Sequence, residues 1–238
     1  MQDCKAAITS KVMGLKLGKE DNNKYFDPSL YKSIVGNLMY LTATRPDIMH
    51  VVSLISRFME KPKEAHRQAA KRILRYVKGT KRFGILYTAS ENSELVGYTD
   101  SDWAGSVDDR KSTSSYVFHM GSGAISWASK KQPIVALSTT KVEYVAATTT
   151  ACQAVCMRRM LRNLCQEQVK GTMIYYENSS AIALSKNYVF HKRTKHIDAK
   201  FHYIRELVNN GEIVLKHCRT QAGAVCRHSD QTFGTEKF

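Results

Sequence analysis

Three short strings each set an acidic residue at the edge of an apolar segment: Tyr98-Thr99-Asp100-Ser101-Asp102-Trp103, Ser138-Thr139-Thr140-Lys141-Val142-Glu143-Tyr144 and Ile174-Tyr175-Tyr176-Glu177-Asn178-Ser179. Carboxylates far apart in sequence converge when the elements carrying them pack together. Asp100, Glu143 and Glu177 then offer what a two-metal phosphodiesterase needs. Hard ions such as Mg²⁺ or Mn²⁺ take oxygen ligands, and two of them about 4 Å apart clamp the attacking water and the leaving oxygen. Taken singly, a carboxylate at a strand end or in a first helical turn is more often a cap or a surface charge. The weight lies in three of them, in this order, in a basic chain.

The 238 residues carry 36 Lys and Arg against 21 Asp and Glu, a net charge of +15. Such an excess points to a polyanionic partner, with nucleic acid the first expectation. The length suffices for one full core and an appendage. No apolar run approaches 18 residues, so no membrane span is expected. Met1-Gln2-Asp3-Cys4-Lys5 has no apolar stretch behind it, which argues against a secretory signal. The six cysteines, at 4, 152, 156, 165, 218 and 226, form no CxxC pair and read as reduced thiols of an intracellular protein, in cytoplasm or nucleus. Cys152 and Cys156 share a helical face, which a core position would explain.

The elements that must position the acids divide near residue 90. Before it, Asp27-Pro28-Ser29 reads as a helix entry, and Leu30, Ile34, Leu38 and Leu41 make a helical stripe. Arg45-Pro46-Asp47 interrupts it, with Asp47 expected to cap the next helix. A second stripe runs through Ile48, Val51, Val52, Ile55 and Phe58. A third helix is expected over 63–78, its Lys71, Arg72, Arg75 and Lys78 on a solvated face, stopped by Gly79. Beyond the divide, Ser93 to Tyr98 and Ser114 to Met120 read as strands, with a hairpin turn at Gly121-Ser122-Gly123 into Ala124 to Ala128. Ser138 caps a long helix reaching about Cys165, with Val142, Val145, Ala146, Val155 and Leu161 inward. Thr172 to Tyr176 is a strand, Ser179 to Ser185 a short helix, Ile197 to Val208 a helix stopped by Asn209-Asn210-Gly211, and Glu212 to Cys218 a last strand. The order predicts an α/β domain built on a mixed sheet. His196 and His202 read as helix-surface histidines.

From about Tyr31 to Thr220 the chain resembles the C-terminal part of the Pol polyprotein of copia-type LTR retrotransposons. The strings that carry the likeness are Val35-Gly36-Asn37-Leu38-Met39-Tyr40-Leu41, Thr44-Arg45-Pro46-Asp47, Arg72-Ile73-Leu74-Arg75-Tyr76-Val77-Lys78-Gly79-Thr80, Asp109-Arg110-Lys111-Ser112-Thr113-Ser114, Trp127-Ala128-Ser129-Lys130-Lys131-Gln132-Pro133 and Thr194-Lys195-His196-Ile197-Asp198. The resemblance implies a helical end of the reverse transcriptase, thumb and connection, over 1–90. It implies an RNase H-like domain over 91–220, a mixed five-stranded sheet with flanking helices. The family cuts the RNA strand of an RNA/DNA hybrid with four carboxylates and two Mg²⁺ or Mn²⁺ ions. By that likeness Asp100 is the first-strand aspartate and Glu143 the helix glutamate. Ser138, Thr139 and Thr140 would meet the hybrid at its minor groove, where 2′-hydroxyls are sensed. Ser101 and Asp102 would flank the scissile phosphate, and Asn178 is expected at the substrate beside Glu177. No specific protein partner is implied.

The departures are equally specific. Glu177 stands where the family has aspartate, and Lys141 where it usually has a second glutamate, close enough in sequence to pair with Glu143. The family's Ala-Asp-Ile-(Phe/Leu)-Thr-Lys-Pro-Leu string, whose aspartate is the fourth ligand, is replaced by Ala224-Val225-Cys226-Arg227-His228-Ser229-Asp230-Gln231-Thr232-Phe233. Cys226 to Phe233 can be written in codons that, read one base later, spell Ala-Asp-Ile-Leu-Thr-Lys-Pro-Leu. A frameshift between about Thr220 and Cys226 is therefore expected, which leaves 221–238 an out-of-frame, disordered tail and denies Asp230 a ligand role. Three readings stay open at this point: an impaired hybrid endonuclease, an inactive fold that grips duplex nonspecifically through Lys130, Lys131, Lys192, Arg193 and Lys195, and a degenerate copy without a role. The three acids alone would also suit an integrase or transposase variant.

Overall fold

The computed structural model describes residues 4–19, 24–89, 94–177 and 195–218, the side chains of 195–201 excepted. Two hydrophobic cores form, one on each side of the divide. The first belongs to α1 (Pro28–Leu41), α2 (Met49–Ile55) and α3 (Glu64–Gly79), with 3-10 turns at Pro46–Ile48 and Ser56–Phe58. Asp27 caps α1, its carboxylate accepting from Ser29 N at 2.8 Å, and Pro28 opens it. Tyr31, Val35 and Leu38 are buried and Ile34 and Leu41 pack against them, so of the expected stripe only Leu30, 51% exposed, faces out, its place in the core taken by Tyr31. The cause is polar satisfaction: the Tyr31 hydroxyl donates to Ile55 O at 2.9 Å, which lets the whole ring go inside.

Asp47 does not cap α2. Both of its oxygens accept from the buried Arg45 guanidinium, at 2.8 and 2.6 Å, and Arg45 reaches on to Thr80 O and Oγ1. The second stripe is buried as expected, at Ile48, Val51, Val52, Ile55 and Phe58. The basic face of α3 corrects the solvated-face expectation. Arg72 donates to Thr9 O, Arg75 to Lys5 O and Lys78 to Cys4 O, so these cations hold the irregular segment 4–19 against the helices.

The second core lies between a five-stranded sheet and two helices. The strands are β1 (Leu95–Ser101), β2 (Thr113–Met120), β3 (Gly123–Lys131), β4 (Thr172–Tyr176) and β5 (Ile213–His217); the helices are α4 (Thr139–Asn163) and α5 (Lys195–Asn209). The sheet order is β3-β2-β1-β4-β5, with the first three strands antiparallel and β1, β4 and β5 parallel. Gly121, at φ 60°, makes the left-handed corner of the β2–β3 hairpin. The Ser138 hydroxyl caps α4, accepting from Lys141 N at 3.3 Å. Inside α4, Thr148, Thr149 and Thr150 each bond back to the carbonyl four residues earlier, which satisfies three hydroxyls in a helix interior. Cys152 and Cys156 are exposed, contrary to expectation; Ala151, Ala154, Val155 and Met157 form the inward stripe instead. Gly211, at φ 68°, follows α5 as its stop signal predicts, and His202 is exposed.

Gly97 fixes how closely β1 and β2 pack under α4. A Cβ there would stand 2.7 Å from the ring of Phe118, which is fully buried and has no room to swing away. Gly97→Ala is expected to cost about 1–3 kcal/mol, read as a shift in the denaturant midpoint with unchanged slope. The expected short helix over 179–185, Asn178, Lys192, Arg193 and the tail 221–238 lie outside the described residues.

Candidate active site

The register of the sheet brings the first and third acids together. In β1 and β4, Val96 lies beside Met173, Gly97 beside Ile174 and Tyr98 beside Tyr175; carried two residues further, the same register sets Asp100 level with Glu177. Asp100 is the last but one residue of β1, and Glu177 follows β4 directly. Glu143 arrives from the other layer, on the second turn of α4, which packs across β1, β2 and β4.

The electrostatics register this convergence. The half-buried Glu143 carboxyl is pushed up to about 7, first by burial and further by the charges of Asp100 and Glu177, with the nearby Ser101 hydroxyl opposing the rise. Ser101 Oγ and Glu143 Oε2 are both buried without a hydrogen bond of normal geometry. The same acidic field reaches the Cys218 thiol just past β5, which burial and then Glu177 raise. Lys141 gives its backbone N–H to the Ser138 cap, and no ion pair joins it to Glu143 among the described residues. The expected Lys141–Glu143 pairing is therefore not formed.

Gln132, which the sequence did not single out, holds Glu143 in place. Its amide nitrogen donates to Ser114 Oγ at 2.8 Å and to Val142 O at 3.0 Å, tying the start of α4 to the strand beside Ser101. Asp102 is engaged by its own loop. It accepts from Thr113 N, and its N–H donates to Thr113 O at 3.0 Å. Ser138 and Thr139 are exposed at the mouth of α4 and Thr140 is half-buried. Because the Ser138 oxygen accepts the cap bond, its proton remains available to a ligand.

Hard divalent cations suit the chemistry of this donor set: three carboxylates, one of them Glu143 with an orphaned buried oxygen. In the arrangement seen, no three His, Cys, Asp or Glu side chains among the described residues stand close enough to hold an ion. A cleft of about 1070 Å³ opens between the helical unit and the loop after β1, and none of Asp100, Glu143 and Glu177 lines it. Lys11, Lys16, Lys19, Arg57 and Lys131 line it together with Asp102.

A mixed sheet in the order 3-2-1-4-5, antiparallel on one side of β1 and parallel on the other, with acids at the ends of β1 and β4 and on the covering helix, is an RNase H-like fold. The RNase H1 of the archaeon Halobacterium salinarum is similar, at 11% identity over 55% of this chain and 89% of that one, with a TM-score of 0.40. No family model matches the sequence. The retrovirus-related Pol polyprotein of transposon TNT 1-94 from Nicotiana tabacum is 48% identical over 188 residues, 78% of this chain. That of transposon RE1 from Arabidopsis thaliana is 41% identical over 222 residues, 92% of this chain. The chain belongs to the copia-type, retrovirus-related Pol polyproteins, and it spans 14% and 15% of the length of these two relatives. Among the described residues no helix is long and apolar enough to cross a membrane.

Proposed function

We propose that residues 91–220 are a ribonuclease H domain that cleaves the RNA strand of RNA/DNA hybrids with impaired efficiency, and that residues 1–90 are the thumb and connection of the reverse transcriptase. The observation that supports this reading is the placement of the acids, with Asp100 and Glu177 at the ends of adjacent parallel strands and Glu143 on the helix that covers them. Mg²⁺ or Mn²⁺, two ions in all, would be held by these three side chains. When bound, the ions supply activation of the attacking water and stabilisation of the leaving oxygen.

The chain's own residues do the rest. Gln132 ties the start of α4, and so Glu143, to β2, and Asp102 braces the loop that flanks the scissile phosphate. Ser138, Thr139 and Thr140, with Asn178, meet the RNA strand through hydroxyl and amide contacts to sugar and backbone. The basic cleft supplies the phosphate attraction expected of a +15 chain. Impairment follows from the longer Glu177 and from the replacement of the family's Ala-Asp-Ile string, with its fourth carboxylate, by Ala224-Val225-Cys226-Arg227.

The test is cleavage of end-labelled RNA in a hybrid beside the same RNA in a double-stranded RNA and a matched DNA duplex, each with Mg²⁺ and with Mn²⁺. Slow, internal cuts confined to the hybrid are expected. Cutting of all three duplexes alike, or of the DNA duplex alone, would contradict the assignment. A second reading, a catalytically silent fold that binds nucleic acid nonspecifically, is favoured by the spacing of the acids, no three of which close on an ion among the described residues. It predicts binding to every duplex that weakens steeply with salt, and no cleavage.

A further inference from the structure

The helical unit does more than sit beside the sheet. In antiparallel strands, directly opposed residues share a face, so Asp100 opposite Ser115, and Ser115 opposite Ser129, form one transverse row. Asp100 joins the row through strand pairing alone, its carboxylate accepting from Ser101 N, and the rest of the row is hydrogen-bonded. Ser115 Oγ donates to Ser129 Oγ at 3.0 Å, and Ser129 Oγ lies 3.3 Å from His50 Nδ1 on α2. Ser53, one turn of α2 further on, donates to Ser129 O at 2.8 Å.

The rungs two positions away on either side are held by the same unit. Trp127 Nε1 donates to Thr42 O at 2.8 Å, and Arg57 Nη2 donates to Thr113 Oγ1 at 2.9 Å, beside the Thr113 N–H that Asp102 accepts. Burial shifts the His50 imidazole down from its ordinary value, with Lys11 and Arg57 adding to the effect and Asp102 and Asp100 opposing it. A neutral ring with its proton on Nε2 leaves Nδ1 free to accept from Ser129, which completes the donor sequence Ser115 to Ser129 to His50.

We infer that His50 is a positioning residue for Asp100: through Ser129 and Ser115 it fixes the acidic end of β1, so the helical unit is a working part of the site on the neighbouring domain. The inference rests on the reading of Asp100 as a site residue. Geometry singles out His50 because it is the terminus of the row and the one member contributed from outside the sheet.

The experiment uses the full chain with His50→Leu, which fills the space without an acceptor, and His50→Asn, whose amide oxygen can stand where Nδ1 stood. Amide hydrogen exchange is followed at Asp100, Ser101, Ser115 and Ser129, with β5 (Ile213–His217) as internal reference. Mn²⁺ binding is followed by the electron paramagnetic resonance of the free ion. His50→Leu is expected to speed exchange along the row by roughly fivefold, the worth of one buried hydrogen bond. The reference strand stays unchanged, and His50→Asn restores most of the protection. Mn²⁺ affinity falls in parallel for His50→Leu. Uniform acceleration across both regions, or no change at Asp100 and Ser101, would overturn the inference. If the row loosens as expected but the parent protein binds no Mn²⁺, positioning of Asp100 stands and the metal-site reading fails.

Discussion

Glu177→Asp raises the rate of hybrid cleavage by about 10²-fold. Glu177 follows β4 directly and, by extension of the β1–β4 register, lies level with Asp100; in the function proposed above it is a ligand. What is displaced is the carboxylate, which one extra methylene carries roughly 1 Å further out, and a misplacement of that size costs on the order of 10² in rate. Shortening the side chain by that methylene returns the oxygens toward Asp100 and Glu143. The measurement is the initial rate on a labelled hybrid at saturating Mg²⁺. An unchanged or lower rate would mean that the length of Glu177 is not what limits the site.

Glu143→Gln abolishes cleavage and stabilises the metal-free protein. The Glu143 carboxyl is pushed up to about 7 in the folded chain, with burial the main cause, whereas an unfolded chain ionises near the ordinary value of 4.5. A raised value means that the fold disfavours the charged form. Below about 4.5 both states are protonated and there is no penalty. Between about 4.5 and 7 the penalty grows, and above about 7 it is fully present. Removing the charge should therefore gain stability on the order of 1–3 kcal/mol at pH 8, a gain that vanishes as the pH falls toward 4.5. Denaturant unfolding in EDTA at pH 4.5 and pH 8 measures it. A variant less stable than the parent at pH 8 would show that the carboxyl carries no such strain. Added Mg²⁺ reverses the comparison, because only the parent gains the ion's binding energy. A site residue that costs the fold stability is what a functional carboxylate predicts and a structural one does not.

Much of the architecture was legible because periodicity and punctuation agreed. Thr172 to Tyr176 is a strand from its first residue to its last, bounded by Gly171 and Glu177, and Ser138 caps α4 as its hydroxyl implies. Where readings missed, a polar side chain had found a partner that one-dimensional patterns do not reveal. Tyr31 went inside because Ile55 O accepts its hydroxyl, and it took the place in the core expected of Leu30. Asp47 was drawn to Arg45 rather than to a helix terminus. Arg72, Arg75 and Lys78 found backbone carbonyls of the preceding segment instead of water. Cys152 and Cys156 were displaced from the core by alanines that let α4 lie closer to the sheet.

The site divides in the same way. Its acids stand out in the sequence because charge at an element's edge is conspicuous, and the family likeness ordered them. Their supports do not. Ser115, Ser129 and His50 are small or neutral residues whose bonds span 14 and 79 positions along the chain, and Gln132 is one glutamine in a loop. Nothing in local pattern marks such residues; cross-strand register does.

The most direct measurement is hybrid cleavage by the parent chain beside Asp100→Asn, under identical Mg²⁺ and Mn²⁺ conditions. Asparagine keeps the size of the side chain and its hydrogen bond to Ser101 N while removing the charge an ion would need. Slow cleavage by the parent and a background signal from Asp100→Asn are the predicted pair. Equal signals from the two proteins would mean that no cleavage belongs to this site.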